Sequence, residues 1–460
     1  MEYEDLENNN LSLSRFEKML NSNKLFFFDS NEFESIISFY LENGKIKLAK
    51  KAVKLGLDQH PESVNLALFE IEILIFENHL DKAEQLLDNL LYNEPSNEEI
   101  HIQKANIYSK RKLHHKSIES LKNILIFNSE NAEVYSLIGI EYLFMEDFEN
   151  AKVNFIESLN KDINDYSSLY NIVYCFEILE QQEKAIEFLN KFLNNNPYCE
   201  VAWHQLGKQH VYFKEYKKAI TAFEFAIISD EYFIGAYIEK GKSLEKLLQY
   251  KKAIENYKLI IGLKDESTYP IYRIGICYKN IGNIVESNKY FYRCIDIDSQ
   301  MDKSWLQLAI NTNSLKDYNR ALIYINKAIE INTENKEYWK LYANINIKLK
   351  FYEEADLAYQ KIIDLDEADE SIWLGKIDML IKLGEFKIAL DLLNECLEIF
   401  EEKSEILYRI SGIYFSLNNN KAGISYLKKA LKINQSNKYI FKEIFKVIYN
   451  YTFIKNLLDE

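Results

Sequence analysis

Seven histidines, five cysteines and 71 acidic residues are the side chains of this 460-residue chain with the most chemistry to offer. A metal centre or a nucleophile–base pair needs several of them converging on one point. His114 and His115 are adjacent but have no cysteine or patterned carboxylate near them, and they read as exposed turn residues. His204 and His210 are six apart, not at the i, i+4 spacing that sets two zinc ligands on one helix face, and His210 reads as packing. Cys175, Cys199, Cys277, Cys294 and Cys396 form no CxxC pair and read as reduced packing residues. Neighbouring carboxylates such as Glu70 and Glu72, or Asp391 and Glu395, are expected in so acidic a chain, and their spacing does not separate an acid from a base. No glycine-rich phosphate loop or calcium loop is present. The expectation is a non-enzymatic chain with no metal and no cofactor.

The elements that carry these residues repeat. Ala49, Ala83, Ser117, Ala151, Ala185, Ala219, Ala253, Ser287, Ala321, Ala355, Ala389 and Gly423 are spaced 34 residues apart without interruption. That period fits one two-helix unit with its turns and predicts an all-α solenoid. With these small residues at position 20, twelve units run from Ser30 to Asn437. Position 8 is again small in most units, as at Ala105, Gly139, Gly207, Gly241, Gly275, Ala309, Ala343 and Ser411. A helical glycine costs about 1 kcal/mol relative to alanine, so close helix approach is the expected compensation. Ile37, Ile71, Val173 and Ile377 break the rule, and those hairpins are expected to splay or shift locally. Pro61, Pro95 and Pro197 share position 32, where a helix must end. Cys175 and Cys277 share one repeat position and Cys294 and Cys396 another, as packing residues would.

Trp203, Leu206, Gly207, Ala219, Phe223 and Ala226, together with Tyr135, Ile138, Gly139, Tyr142, Ala151 and Phe155, resemble the tetratricopeptide repeat family. That resemblance implies a right-handed superhelix whose first helices line a concave groove, through positions 2, 5, 6, 9, 12 and 13. Carried onto this sequence, those positions give Tyr170, Tyr174, His204, Lys208, Tyr212, Lys242, Lys246, Tyr269, Tyr272, Arg273 and Lys279 as a peptide-binding groove. Aromatic rings supply rigid contact area and cations supply charge-assisted bonds to carboxylates. A second candidate is the carboxylate clamp of co-chaperone members. Lys340, Asn344 and Arg409 match it, whereas Gly375 and Glu405 depart from it.

Residues 1–29 fall outside the repeat. Leu11, Phe16 and Leu20 are expected to form a helix on the first unit, with Phe26, Phe27 and Phe28 covering its end. Beyond Asn437, residues 438–460 read as a capping helix, with Ile440, Phe441, Ile444, Phe445 and Ile448 at helical spacing. The net charge of −15 disfavours nonspecific nucleic-acid binding. Neither a secretory signal nor a membrane-length apolar run is read, so a cytoplasmic location without membrane insertion is expected. The expected function is a non-catalytic scaffold or adaptor holding a partner peptide or helix with acidic or aromatic residues. A self-associating, homo-oligomeric structural component is the alternative.

Overall fold

Residues 2–22, 25–263, 267–365, 370–400 and 403–459 are described by the structure, a computed structural model. Among them only helices and turns occur. Every 34-residue window begins its first helix at position 1 and its second at position 17, from Ser30–Glu42 with Ile46–Gln59 to Ser404–Ser416 with Asn420–Ile433. Several of the starts are set by side chains at the last position of the preceding window. Ser63, Asn97, Asn131 and Asp165 accept from the backbone N–H groups of Leu66, Ile100, Val134 and Ser168. These bonds satisfy donors that a helix leaves open in its first turn.

The turn inside each hairpin is equally regular. Position 15 is left-handed throughout. Gly44, Gly282 and Gly384 supply it without strain, but Asn78, Lys112, Glu146, Glu180, Lys214, Leu248, Lys316, Lys350 and Asn418 also take φ between 56° and 64° there. In the hairpin Glu200–Tyr212 and Tyr216–Ser229, the Lys214 N–H bonds the Val211 carbonyl at 2.9 Å and the Glu215 N–H reaches the His210 carbonyl at 2.9 Å. This pairing closes the first helix and turns the chain into the second. A leucine in that conformation is strained. We expect Leu248→Gly, at a side chain 70% exposed, to raise stability by about 1 kcal/mol in denaturant titration. A loss of stability there would contradict the turn geometry.

Within a hairpin, positions 8 and 20 bring backbone against backbone. The Ser117 hydroxyl donates to the Ala105 carbonyl at 3.0 Å, and the Ser411 hydroxyl to the Gly423 carbonyl at 2.8 Å. Position 24 then decides what position 8 must be. A Cβ on Gly139 would lie 2.7 Å from the Phe155 ring and one on Gly275 would lie 2.6 Å from Phe291, while Gly207 and Gly241 sit still closer beneath Phe223 and Tyr257. The hairpins with Ile37, Ile71, Val173 and Ile377 carry Val53, Leu87, Leu189 and Leu393 at position 24. Both members of each pair are buried, and these helices keep the common boundaries. The two helices of each of these hairpins nevertheless approach less closely than in the hairpins with a small residue at position 8, so they do splay. The smaller side chain at position 24 yields part of the volume that position 8 takes, and the opening of the hairpin supplies the rest.

Position 4 carries a second recurring device. The ring N–H groups of Trp203, Trp305 and Trp339 donate to the carbonyls of Pro197, Ser299 and Thr333, at 2.8, 3.4 and 2.8 Å. His101 occupies the same position, and its Nε2 lies 2.9 Å from the Pro95 carbonyl. An aromatic nitrogen thus ties the start of a first helix to the turn before it.

The chain divides into two compact units, residues 1–233 and 234–460, each with six hairpins. In the first, the helix Glu2–Asn21 buries Phe16 beside Phe28, Phe33 and Tyr40, and Arg15 pairs with Glu32 at 2.9 Å. Leu11 and Phe27 stay exposed. In the second, residues from Lys438 onward form three short helices, Lys438–Ile444, Lys446–Tyr449 and Thr452–Asp459. The backbone leaves helical geometry at Phe445, whose ring packs directly on Gly412. All five cysteines are buried and free. Burial pushes the Cys175, Cys294 and Cys396 thiols up to about 11 and Cys277 to about 12, which suppresses the reactive thiolate.

Candidate functional site

The first helix of each hairpin has one side free of its own hairpin partner, and the candidate residues lie along it. In the first unit, Tyr170 and Tyr174 on the helix Tyr166–Ile178 are 41% and 45% exposed. Lys208 and Tyr212 on the following first helix, Glu200–Tyr212, are exposed as well. Burial raises the Tyr170 phenol above the ordinary range, and the nearby Gln205 amide partly offsets this. Gln209 beside it donates to Glu177 at 2.7 Å. His204 does not join this group. Its ring lies edge-on to Phe233 at 5.2 Å and against Phe223 at 5.8 Å, with both ring nitrogens buried.

In the second unit, position 12 of one repeat meets position 6 of the next. Glu245 occupies position 12 and accepts both Nε and Nη2 of Arg273, at 3.0 and 2.6 Å. It also takes the Tyr257 hydroxyl at 2.8 Å, and its side chain is only 9% exposed. Arg273 is therefore a structural cation, its charge met inside the stack. Lys242 is similarly engaged, with Glu239 at 2.7 Å and the Tyr269 ring at 5.8 Å, while Lys246 is exposed one turn along.

Lys279 and Gln307 hold the same two positions one repeat later, and the charges do not match. The Lys279 ammonium donates to the Gln307 amide oxygen at 2.7 Å. Half-burial lowers its pKa from the ordinary lysine range, and desolvation is the only cause at work. Tyr272 precedes Lys279 by two turns on the same helix, its phenol raised chiefly by burial. Its ring packs against Phe291 at 5.7 Å. The result is a cation with a neutral partner, flanked by an aromatic ring.

The clamp candidates do not assemble in this way. Arg409 is buried and forks onto Asp378 at 2.7 and 2.8 Å, with a further bond to the Glu405 carbonyl at 2.9 Å. A guanidinium neutralised within the helix layer is not offered to a ligand carboxylate. Lys340 pairs with Glu337 at 3.1 Å, and Asn344 is exposed. The reading of His114 as an exposed turn residue is also corrected. It opens the helix His114–Phe127, its Nδ1 lies 2.8 Å from Glu141, and its ring packs on Phe144 at 5.6 Å. His115 is exposed. His210 bonds Glu215 across the turn at 2.8 Å.

Gln205, Gln307 and the anchoring role of Glu245 were not evident from the sequence. Gln307 and Glu245 could have been found by pairing position 12 of one window with position 6 of the next, but Gln205 could not, because Glu177 at position 12 bonds Gln209 instead. Among the described residues, no group of three or more histidine, cysteine or acidic side chains is arranged to hold a metal. No described helix is long and apolar enough to cross a membrane.

Known proteins match parts of this chain. A family model described as tetratricopeptide repeat matches residues 166–199, 302–335 and 404–437, three complete windows of the 34-residue register. A TPR repeat-containing protein of Methanocaldococcus jannaschii is 25% identical over 234 residues, covering 45% of this chain and 41% of the relative. Anaphase-promoting complex subunit 3 of Schizosaccharomyces pombe is 22% identical over 196 residues, covering 43% and 30%. The chain thus spans less than half the length of the curated relatives it matches. Among solved structures, MamA is 26% identical with a TM-score of 0.33, over 38% of this chain and 96% of MamA. The chain carries tetratricopeptide repeats.

Proposed function

We propose that the chain is a non-catalytic scaffold that captures a peptide or helix of a partner protein on its first-helix faces. The reading rests chiefly on Lys279, a half-buried cation bonded to the Gln307 amide, beside Tyr272. An ammonium taken out of water without a counter-charge is a standing cost to the fold, and a partner carboxylate relieves it. The equivalent contact one repeat earlier, Glu245 with Arg273, is charge-balanced internally. The exposed Tyr170, Tyr174 and Tyr212 offer aromatic contact area of the kind that peptides bury in the first unit.

The test separates capture from stability. Peptides enriched from a display library on the full chain are titrated against wild type and Gln307→Glu. The substitution gives Lys279 an internal carboxylate, so the fold is expected to melt no lower while affinity for acidic peptides falls about tenfold. Undiminished affinity, or no enrichment of acidic or aromatic sequences, would remove the assignment.

A further inference from the structure

We propose that the second-helix face of the first repeat, with the cavity beside it, docks an acidic amphipathic segment of another protein. The lysine stripe lies on a second helix, and the cavity uses Glu70, Ile73 and Leu74 of the first helix Val64–Phe76, none of them among the candidate groove residues. The helix Ile46–Gln59 carries Lys47, Lys50, Lys51 and Lys54 against a single acid, Asp58, in a chain whose net charge is −15. Lys47, Lys51 and Lys54 follow the i, i+4, i+7 spacing of one helix face, and all three are exposed. Among the described residues none of the three forms an ion pair, whereas Lys50 is held by Glu77. Like charges one turn apart repel by a few tenths of a kcal/mol per pair, so the stripe is a local excess that an anionic partner would neutralise.

A cavity of about 480 Å³ opens next to the stripe. Val53, Leu57, Ile73 and Leu74 form its apolar lining, and Lys50, Lys54 and Asp58 line it as well. Across from them Glu70 is already neutralised by Lys82 at 3.3 Å. Its volume lies within the roughly 300–1,000 Å³ range of ligand clefts, large enough for a bulky side chain. Apolar lining beneath a cationic edge is complementary to a leucine or phenylalanine flanked by carboxylates, the pattern of an acidic amphipathic helix. A nucleic acid or an anionic lipid surface would use the lysines but would leave the apolar cavity without a matching group.

The probe is a synthetic acidic peptide of about 18 residues, with leucines on one helical face and glutamates flanking them. Its binding to the full chain is followed by fluorescence anisotropy. Binding that weakens with salt is expected, with about a tenfold loss in the variant Lys47→Glu/Lys51→Glu/Lys54→Glu. Leu57→Trp fills the cavity without altering charge and is expected to weaken binding as well, while Lys279→Gln leaves it unchanged. Circular dichroism melting verifies that each variant is folded. The proposal is overturned if the peptide does not bind, if both stripe and cavity variants bind it as wild type does, or if a serine-for-leucine peptide binds equally well. Tighter binding of phosphatidylserine vesicles or single-stranded DNA would overturn it too. So would a concentration-dependent dimer abolished by the lysine reversals, which would make a second copy the occupant.

Discussion

Gly207→Ala is expected to destabilise the first unit by about 1–3 kcal/mol, although alanine is the better helix former by about 1 kcal/mol. The added methyl would enter the Phe223 ring, which lies directly over the glycine. Phe223→Leu alone removes buried ring atoms and costs about 1 kcal/mol or more. The pair Gly207→Ala/Phe223→Leu recreates the contact that Ala105 and Leu121 already make at the same positions. We therefore expect the double variant to be more stable than Phe223→Leu, with a favourable coupling of about 1–3 kcal/mol in a double-mutant cycle. Additive effects would show that positions 8 and 24 do not share one packing volume.

Glu245→Ala will have the largest effect in the second unit, a loss of about 3 kcal/mol. The Glu245 side chain is 9% exposed and answers two groups at once, the Arg273 guanidinium and the Tyr257 hydroxyl. Removing it strands a partly buried charge and a buried phenol together. The expected cost is taken at the lower end for such pairs because Arg273 retains 27% exposure. Converting both ends, as Glu245→Leu/Arg273→Met, is expected to recover most of the loss, since the desolvated charges disappear together. Urea titration of the two variants measures both effects. A cost below about 1 kcal/mol for Glu245→Ala would mean that Arg273 is held by solvent rather than by the stack. Charge reversal at Arg273 is accordingly a poor probe of binding, because it disrupts the fold first.

The architecture was legible because its main constraint is written in residue size. A side chain at position 20 faces the backbone of the partner helix, so only Ala, Ser or Gly fits there, and the 34-residue spacing stands out. Position 8 was less legible. Ile37 and Val173 alone give the opening of their hairpins, but only position 24 shows that Val53 and Leu189 yield part of the space. The hairpin turns were legible at Gly44, Gly282 and Gly384 but not at Lys214 or Leu248, where tertiary packing imposes a backbone that the residue does not favour.

The candidate site was half legible for a related reason. Repeat position fixes the face on which a side chain lies, so Tyr170, Tyr174, Lys208 and Tyr212 emerge at exposed places. It does not fix what stands opposite from the next repeat. Arg273 and Lys279 looked alike in sequence, yet Glu245 answers one and Gln307 the other. His204 looked like a lining residue, and its ring turned instead toward Phe223 and Phe233.

Capture of a partner on the first-helix faces is tested most directly by photo-crosslinking. Benzoylphenylalanine is placed at Tyr174 or Tyr212 on first helices, and at Ile228 on a second helix of the same unit, where the native side chain is 73% exposed. Adducts with an enriched peptide from positions 174 and 212, and none from 228, are the predicted result. Adducts from 228 alone would contradict it.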